Sequence, residues 1–390
     1  MTDSVASSVA AFVALLASGL TVSIAAQRVR VPPAVLLVVV GAIFGSVWHI
    51  APPFSFGPAL LAVFLPPLIF EAAWNIDLAE IRRAAATIVT LALPGTLFSA
   101  FAIAGALTAV RALDFPFALL FGAIVSATDP VAVVAVFRNV KAPARLKAIV
   151  EAESLANDGV AVILYGIALA LVGGGAVAWY TGVLQLMLSI GGGILVGALC
   201  AIPSWLALRL ITFAEYEVAG TVALAYIAYL IADRLGVSGI FATTAAAIVL
   251  RALLVRRANL NNRNDVDVFW NATAFIANAV VFLATGLLID VPRAFHEPRL
   301  VLSAIVATIA VRIVLSLIAS REMPARITFV LAGMRGALPL ALALALPATL
   351  IYRAQIIDGV FAVVLVTLVL QGASLEPVVR RLYGSAMGKS

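Results

Sequence analysis

The sequence predicts an all-α polytopic membrane protein, and three observations support this fold class. Of the 390 residues, 64% are hydrophobic and only 11% are charged, whereas a soluble domain averages about 25% charged residues. Apolar runs of about 20 residues, the length that crosses a bilayer, recur along the whole chain. The basic residues lie mostly in alternate connections between these runs. We therefore expect residues 1–390 to form a single membrane domain.

Thirteen apolar segments are predicted to cross the membrane, separated by charged residues or by clusters of Gly and Pro. No basic stretch precedes the first segment, which is long enough to span, so we expect it to be retained and not cleaved as a signal peptide. The segments cover approximately residues 5–27, 32–49, 57–76, 84–110, 116–138, 146–171, 180–210, 217–234, 238–254, 268–289, 299–320, 325–350 and 356–379.

The distribution of basic residues predicts the orientation of these segments. If the N-terminus lies outside, 18 of the 25 lysines and arginines lie in cytoplasmic connections or the C-terminal tail, 5 lie on the outer side and 2 lie inside segments. This bias predicts a multi-pass protein of the inner or plasma membrane with its N-terminus outside and its C-terminus in the cytoplasm. Orientation and contact with anionic lipid explain the basic connections, so we expect no nucleic-acid partner.

Motifs of enzyme or cofactor chemistry are not found in the sequence. The single cysteine, Cys200, excludes an internal disulfide. The chain has no zinc-ligand spacing, Walker motif or dinucleotide fingerprint, which are the patterns that would point to a bound metal, nucleotide or dinucleotide. We therefore predict no cofactor and no enzymatic activity.

Two of the predicted segments carry helix-breaking residues near mid-membrane. In the fifth segment, Pro130 follows Thr128 and Asp129; a proline has no N–H, so the carbonyl of Ser126 loses its helical partner. In the twelfth segment, Pro339 frees the carbonyl of Arg335, and two neighbouring glycines loosen the same turn. A proline that merely kinks each helix is the alternative.

The two breaks are seven segments apart in a chain of thirteen. This spacing predicts two six-helix repeats of opposite orientation, formed by the first six and the last six segments, with 180–210 as a connecting helix. Interrupted helices at matching positions of two repeats are the best sequence indication of a transporter's binding site.

The charges inside the segments predict an ion site. In the sixth segment, Ser154 and Asp158 are four residues apart and share a helix face. Two buried arginines can neutralise two carboxylates, which leaves at least one acid for a small cation or a proton; Asp158 is the most central. The alternative is a fully paired network that only holds the helices together. The ionisable residues well inside segments are Glu71, Asp129, Glu151, Glu153, Asp158, Arg312 and Arg335.

At these residues the chain resembles the sodium/proton antiporters of the monovalent cation:proton antiporter superfamily. The resemblance is strongest to the NhaP-type branch, which is related to the animal sodium/proton exchangers. Four motifs carry it, in the expected order over most of the chain. They are the Phe-Leu-Pro-Pro-Leu-Ile-Phe-Glu run at 64–71, Ser-Ala-Thr-Asp-Pro at 126–130, Glu-Ser-Leu-Ala-Asn-Asp-Gly at 153–159, and Gly-Met-Arg-Gly-Ala-Leu-Pro at 333–339.

The resemblance implies an architecture and a biological role. It implies a homodimer in which residues 1–76 and 217–289 form the dimerisation part. Residues 84–171 and 299–379 would form the ion-translocating core, with the broken fifth and twelfth helices crossing. The role implied is exchange of Na⁺ for H⁺ in sodium and pH homeostasis. The small-residue motifs at 41–45 and 193–197 permit close helix contact and do not by themselves predict a dimer.

The resemblance also implies roles for individual residues. Asp158 would bind the cation and the proton in turn. Ser154 and Glu71 would add side-chain oxygens, Thr128 its backbone carbonyl, and Asp129 would act directly or through water.

The remaining polar residues would support this site. By the same resemblance, Arg335 would hold Glu153 and Asn157, and Arg312 would balance Asp129. An Asn at position 157, where another branch of the superfamily has an aspartate, is associated with electroneutral exchange.

Three other functions fit part of the pattern. A potassium/proton antiporter would use the same mechanism, and a sodium-coupled solute symporter could share the fold. An intramembrane aspartyl protease could use Asp129 and Asp158, but the Gly-x-Gly-Asp motif of that class is absent and the arginines would be unexplained.

Overall fold

The computed structural model describes residues 2–29, 31–48, 58–129, 133–134, 136–137, 142–175, 178–210, 213–256 and 263–383. Within these ranges all regular secondary structure is helical. Most helices begin and end within a few residues of the predicted segments. Their bounds are α1 (Thr2–Val29), α2 (Pro33–Trp48), α3 (Pro58–Asn75), α4 (Leu78–Thr90), α5 (Thr96–Ala109), α6 (Phe115–Ser126), α7 (Ala144–Val172), α8 (Trp179–Leu208), α9 (Ala214–Arg234), α10 (Gly239–Arg256), α11 (Arg263–Leu287), α12 (Val291–Ala294), α13 (Pro298–Ala319), α14 (Met323–Leu331), α15 (Ala337–Leu344) and α16 (Arg353–Tyr383).

The helices have the length and composition of a multi-pass membrane protein. Among the described residues, eight helical stretches are long and apolar enough to cross a bilayer on their own, and three further apolar helices are shorter. One of the eight, Leu78–Ala109, joins α4 and α5 through a π-helical turn at Leu91–Gly95. That turn contains Pro94, whose missing N–H disturbs the regular ladder of hydrogen bonds. The sequence analysis did not predict this turn.

The twelfth segment is interrupted, but ahead of its proline. Helix α14 ends at Leu331, and the next helix, α15, begins only at Ala337. Pro339 is the third residue of α15. The first four N–H groups of a helix have no partner within the helix, so a proline costs little there. The glycine-containing residues 332–336 therefore form the break.

The fifth segment is also interrupted where the sequence predicts. Helix α6 ends at Ser126, and Ala127 is already in an extended conformation, with φ of −62° and ψ of 139°. Residues up to Asp129 remain non-helical. Pro130, which the sequence analysis named as the cause, lies outside the described residues.

The chain divides into two compact units. The first consists of Met1–Gly57, Ala79–Gly174 and Asn278–Ser390, and the second of Pro58–Leu78 and Gly175–Ala277. Both broken helices belong to the first unit. The predicted division into a dimerisation part and a translocating core remains a prediction.

Small residues allow close helix packing within each unit. In the first unit, a Cβ at Gly41 or Gly45 would collide with the backbone of α11 near Leu287. In the second unit, a Cβ at Gly197 would collide with the carbonyl of Ala242 on α10. Both small-residue motifs are therefore used for contacts inside the chain.

The second unit also has an aromatic core around α3. Phe70 stacks on Trp74 and on Trp270, with ring centroids 5.8 and 4.6 Å apart. The indole of Trp270 donates to Thr221 Oγ1 at 3.1 Å, and that of Trp74 to Asp267 Oδ1 at 2.7 Å. These hydrogen bonds satisfy the buried indole N–H groups and fix the position of α3.

Candidate functional site

The interruptions of the fifth and twelfth segments meet each other in the first unit. The backbone N–H of Asp129 donates to the carbonyl oxygen of Met334 at 2.9 Å. Arg335 Nη1 donates to the carbonyls of Ser126 and Ala127 at 3.0 and 3.2 Å. The last carbonyls of a helix lack intrahelical partners and carry partial negative charge. The buried guanidinium of Arg335 therefore lies where the end of α6 stabilises it.

A chain of hydrogen bonds fastens α7 to the break after α6. Ser154 Oγ donates to the carbonyl of Thr128 at 2.6 Å, and the hydroxyls of the two residues are 2.9 Å apart. Asn157 Nδ2 donates to Thr128 Oγ1 at 2.7 Å. All three side chains are buried. The structure thus brings Thr128, Ser154 and Asn157 together, whereas the sequence analysis expected Arg335 to hold Asn157.

A buried ion pair lies on a second face of α7. Arg312 binds Glu153 through both nitrogens, with Nη1 to Oε1 at 2.8 Å and Nη2 to Oε2 at 3.2 Å. Arg312 Nε donates to the carbonyl of Phe329 at 3.1 Å, and its guanidinium lies 3.7 Å from the Phe329 ring centroid. Asn157 Nδ2 also donates to Glu153 Oε1 at 3.1 Å.

The observed pair corrects the expected one. The sequence analysis assigned Glu153 to Arg335, whereas the structure pairs Glu153 with Arg312. The reason is that Arg335 lies in the interrupted turn, where its Nη1 donates to the free carbonyls at the end of α6. The expected balance between Arg312 and Asp129 remains a prediction.

Asp158, on α7 one turn after Ser154, has a buried carboxylate oxygen, Oδ1, that no hydrogen bond reaches among the described residues. In the same part of the chain, no arginine or lysine forms a salt bridge with it. An ionised carboxylate in this position is costly unless a proton or a cation binds to it.

Two glycines make room for charged groups at the break of the twelfth segment. A Cβ at Gly336 would collide with the side chain of Asp129. A Cβ at Gly333 would lie 2.7 Å from Arg312 Nε. Glycine lets the backbone approach these groups closely, so the break brings Asp129 and Arg312 near the same short stretch.

A small polar cavity lies beside the ion pair. It leaves about 10 Å³ for the centre of a water molecule, which is room for one bound water. The π-helical turn contributes to its wall, and Thr96 and Ser99 follow that turn; sequence reasoning did not single out these residues, since their hydroxyls look like ordinary helix side chains. The lining residues are Leu91, Gly95, Thr96, Ser99, Ser126, Glu153, Asn157, Val311, Arg312, Leu315 and Arg335.

Glu71, the remaining predicted ligand, belongs to the second unit. It lies on α3, where its Oε1 accepts a hydrogen bond from Asn75 Nδ2 at 2.6 Å. Its part in a cation site remains a prediction.

A helical membrane chain with buried charges where two interrupted helices meet has the features of an ion-coupled secondary transporter. The chain belongs to the sodium/hydrogen exchanger family, whose transmembrane model matches residues 11–381. This confirms the family expected from the motifs. The family consists of transporters and not of enzymes, which agrees with the prediction of no enzymatic activity.

Individual relatives match over most of the chain. The Na(+)/H(+) antiporter ApNhaP of Aphanothece halophytica is 34% identical over 90% of this chain and 70% of its own length. The Na(+)/H(+) antiporter NhaP of Pseudomonas aeruginosa is 33% identical over 86% of this chain and 84% of its own length. The structure of the sodium proton antiporter MjNhaP1 from Methanocaldococcus jannaschii has the same fold, with a TM-score of 0.81 and 23% identity over 98% of this chain and 100% of that one.

Proposed function

We propose that this protein is an antiporter that exchanges one Na⁺ for one H⁺ by alternating access, with Asp158 as the shared binding group. The observation that carries the proposal is the buried Oδ1 of Asp158, which has no hydrogen-bond partner among the described residues. It lies one turn from Ser154, whose hydroxyl donates to the carbonyl of Thr128 in the break after α6. The relatives of this protein named ApNhaP and NhaP are Na(+)/H(+) antiporters by name, which supports the choice of Na⁺ and H⁺.

The groups around Asp158 suit a small hard cation. Ser154 Oγ and the Thr128 carbonyl are already within 2.6 Å of each other, and both keep lone pairs for a further contact. Oxygen donors of this kind bind alkali and alkaline-earth cations. We propose that Asp158, Ser154 and Thr128 bind Na⁺, and that Asp129 acts directly or through a water. Glu71 is a further proposed ligand by the resemblance alone.

The charge balance favours a monovalent exchange. Glu153 and Arg312 neutralise each other as a buried pair. Among the charged groups of the first unit at this site, the positive charge of Arg335 offsets one of the two acids Asp129 and Asp158, which leaves one negative charge there for a cation or a proton. Moving the occupied, neutral site across the membrane barrier costs less than moving an empty, charged one, which suppresses leak.

Asn157 supports a stoichiometry of one for one. Its amide donates to Thr128 and to Glu153 and cannot ionise. A second proton therefore has no obvious carrier at this position, and the exchange is electroneutral.

We propose the corresponding architecture as well. Thirteen spans form two inverted six-helix repeats, with 180–210 as the connecting helix. The protein lies in the plasma membrane, with its N-terminus outside and its C-terminus in the cytoplasm. The protein is a homodimer, with 1–76 and 217–289 as the dimerisation part. The two interrupted helices that meet at Asp129 and Met334 support the crossing within this arrangement.

Transport by purified protein in liposomes tests the proposal. Internal pH is followed with a dye after addition of Na⁺, Li⁺ or K⁺, with and without a membrane potential clamped by potassium and valinomycin. We expect Na⁺ to drive proton flux at a rate that does not depend on the potential. A rate that follows the potential would exclude the one-for-one stoichiometry. Flux with K⁺ alone would assign the protein to potassium/proton exchange, and a requirement for an organic solute would make it a symporter.

A further inference from the structure

The last long helix, α16, contacts the break of the twelfth segment through two buried polar side chains. Thr367 and Gln371 are four residues apart, so they share a face of this helix, and they are 1% and 6% exposed. Thr367 Oγ1 accepts a hydrogen bond from the backbone N–H of Arg335 at 3.3 Å. Gln371 Nε2 donates to the carbonyl of Val330 at 3.3 Å.

A glycine next to these residues lets the break approach α16 closely. A Cβ at Gly372 would lie 3.3 Å from the sulfur of Met334 and 2.5 Å from a methyl group of Val35. The face formed by Thr367, Gln371 and Gly372 is therefore shaped to receive residues 330–335.

These contacts account for backbone groups that the break leaves without helical partners. A buried N–H or carbonyl without a hydrogen-bond partner destabilises the folded state. The carbonyl of Met334 accepts from Asp129 N–H at 2.9 Å, and that of Val330 accepts from Gly333 N–H at 3.2 Å as well as from Gln371. The backbone N–H of Arg335 donates to the hydroxyl oxygen of Thr367. Two of these four bonds come from α16.

The backbone position of Arg335 determines where its side chain reaches. Its guanidinium donates to the carbonyls of Ser126 and Ala127. The next residue, Thr128, offers its carbonyl to Ser154 and is one of the proposed ligands. A displacement of Arg335 would therefore move the end of α6 and the Thr128 carbonyl with it.

We propose that Thr367 and Gln371 are positioning residues that hold the break of the twelfth segment and thereby set the affinity of the cation site. They act through Arg335 and Thr128 and do not contact the ion. This inference rests on the proposed exchange of Na⁺ for H⁺ at Asp158.

The test compares three threonine variants with Gln371→Met. Thr367→Val keeps the shape and removes the acceptor, whereas Thr367→Ser retains it. The matched control is Thr308→Val on α13, because Thr308 is equally buried and its hydroxyl has no hydrogen-bond partner among the described residues. We expect Thr367→Val and Gln371→Met each to raise the half-saturating sodium concentration about three- to tenfold, the effect of one lost hydrogen bond. Thr367→Ser and Thr308→Val should both have the half-saturating sodium concentration of the wild type.

Measuring the half-saturating sodium concentration and the maximal rate separately distinguishes a positioning role from a loss of protein stability. A variant that only loses folded protein has a lower maximal rate at an unchanged half-saturating concentration. That result for both Thr367→Val and Gln371→Met would overturn the inference, as would the same loss of affinity in Thr308→Val.

Hydrogen exchange of the break provides a readout that needs no transport. In nanodiscs, amides of residues 333–336 should exchange faster in Thr367→Val and Gln371→Met than in the wild type or in Thr308→Val. Equal exchange rates in all four proteins would overturn the inference. If the wild type shows no sodium-driven proton flux, the proposed function fails, and the exchange measurement still decides whether α16 holds the break.

Discussion

Arg312 and Glu153 form a two-pronged ion pair in which both side chains are only 3% exposed. The Phe329 ring covers the guanidinium, and Asn157 shares the Glu153 carboxylate. Paired, hydrogen-bonded charges of this kind are stable only as a unit. The pair therefore links α7 to α13. In the proposed mechanism it leaves Asp158 as the group that exchanges its partner.

We first predict that Arg312→Ala destabilises the protein by about 3–5 kcal/mol, because it leaves a buried carboxylate without its partner. Adding Glu153→Gln should restore part of this loss, since the amide carries no charge. The measurement is the thermal unfolding midpoint of the purified protein in detergent.

Arg293→Ala is the control for this experiment. It breaks the ion pair with Asp358, whose side chains are 59% and 25% exposed, and exposed pairs contribute about 0–1 kcal/mol. If the double variant is no more stable than Arg312→Ala alone, the pairing does not carry the stability assigned to it.

We next predict that Asp158→Asn abolishes sodium-driven proton flux while the protein still folds and inserts. The amide keeps the shape of the carboxylate but can neither bind a proton nor neutralise a cation. Thermal stability should be equal or higher, because a buried charge is removed. The matched control is Glu151→Gln on the same helix, since Glu151 forms an ion pair with Lys147 at 3.7 Å near the helix end. Sodium-dependent flux that persists in Asp158→Asn would exclude Asp158 as the exchanging group.

The third prediction concerns the glycine beside Asp129. Gly336→Ala places a Cβ against the Asp129 side chain, so we expect a loss of about 1–3 kcal/mol in stability, as for other overpacked sites, and a strongly reduced transport rate. Gly166→Ala is the matched control, because a Cβ there meets nothing within 4 Å. In the interior of α7 this control should be neutral or stabilising by up to about 1 kcal/mol. Equal transport by the two variants would mean that Asp129 does not need its present position.

The fourth prediction is that protons and sodium compete for one group. A proton on Asp158 excludes the cation, so the half-saturating sodium concentration should rise as pH falls. At pH values well below the titration midpoint of the group, a single competing proton raises the half-saturating sodium concentration by about tenfold per pH unit. The maximal rate should change less. Rates measured over a grid of sodium concentration and pH in liposomes give both quantities. A maximal rate that falls with pH at constant half-saturation would contradict competition.

Helix positions could be predicted from the sequence because the bilayer imposes them locally. Apolar runs of spanning length and the charges between them locate the helices within a few residues. The breaks at residues 127–129 and 332–336 were also predictable, since Asp129 and the glycines near Arg335 are local signals. The exact position of the break in the twelfth segment could not be predicted, because Pro339 can equally end a helix or occupy the first turn of the next one.

The partners of buried charges could not be read from the chain. Spacing along α7 shows that Glu153 and Asp158 lie on different faces, but not which neighbouring helix covers each face. The choice of Arg312 over Arg335 depends on how α13 packs on α7, which is a tertiary property. The π-helical turn near Pro94 was missed for a similar reason, since a transmembrane proline more often produces an ordinary kink.

The glycine motifs at 41–45 and 193–197 have a consequence for how copies of the protein can meet in a bilayer. Their grooves are already filled by α11 and α10, so no second copy can use them for close backbone approach. In the proposed homodimer, contact would then be made by exposed apolar side chains of the dimerisation part, such as those of Leu20 and Ile24. Acyl chains fit such surfaces equally well, so lipid competes directly with self-association. For the proposed homodimer, the fraction of paired copies would then depend on the lipid composition and on the dilution of protein in the membrane, and detergent that replaces this lipid would change it.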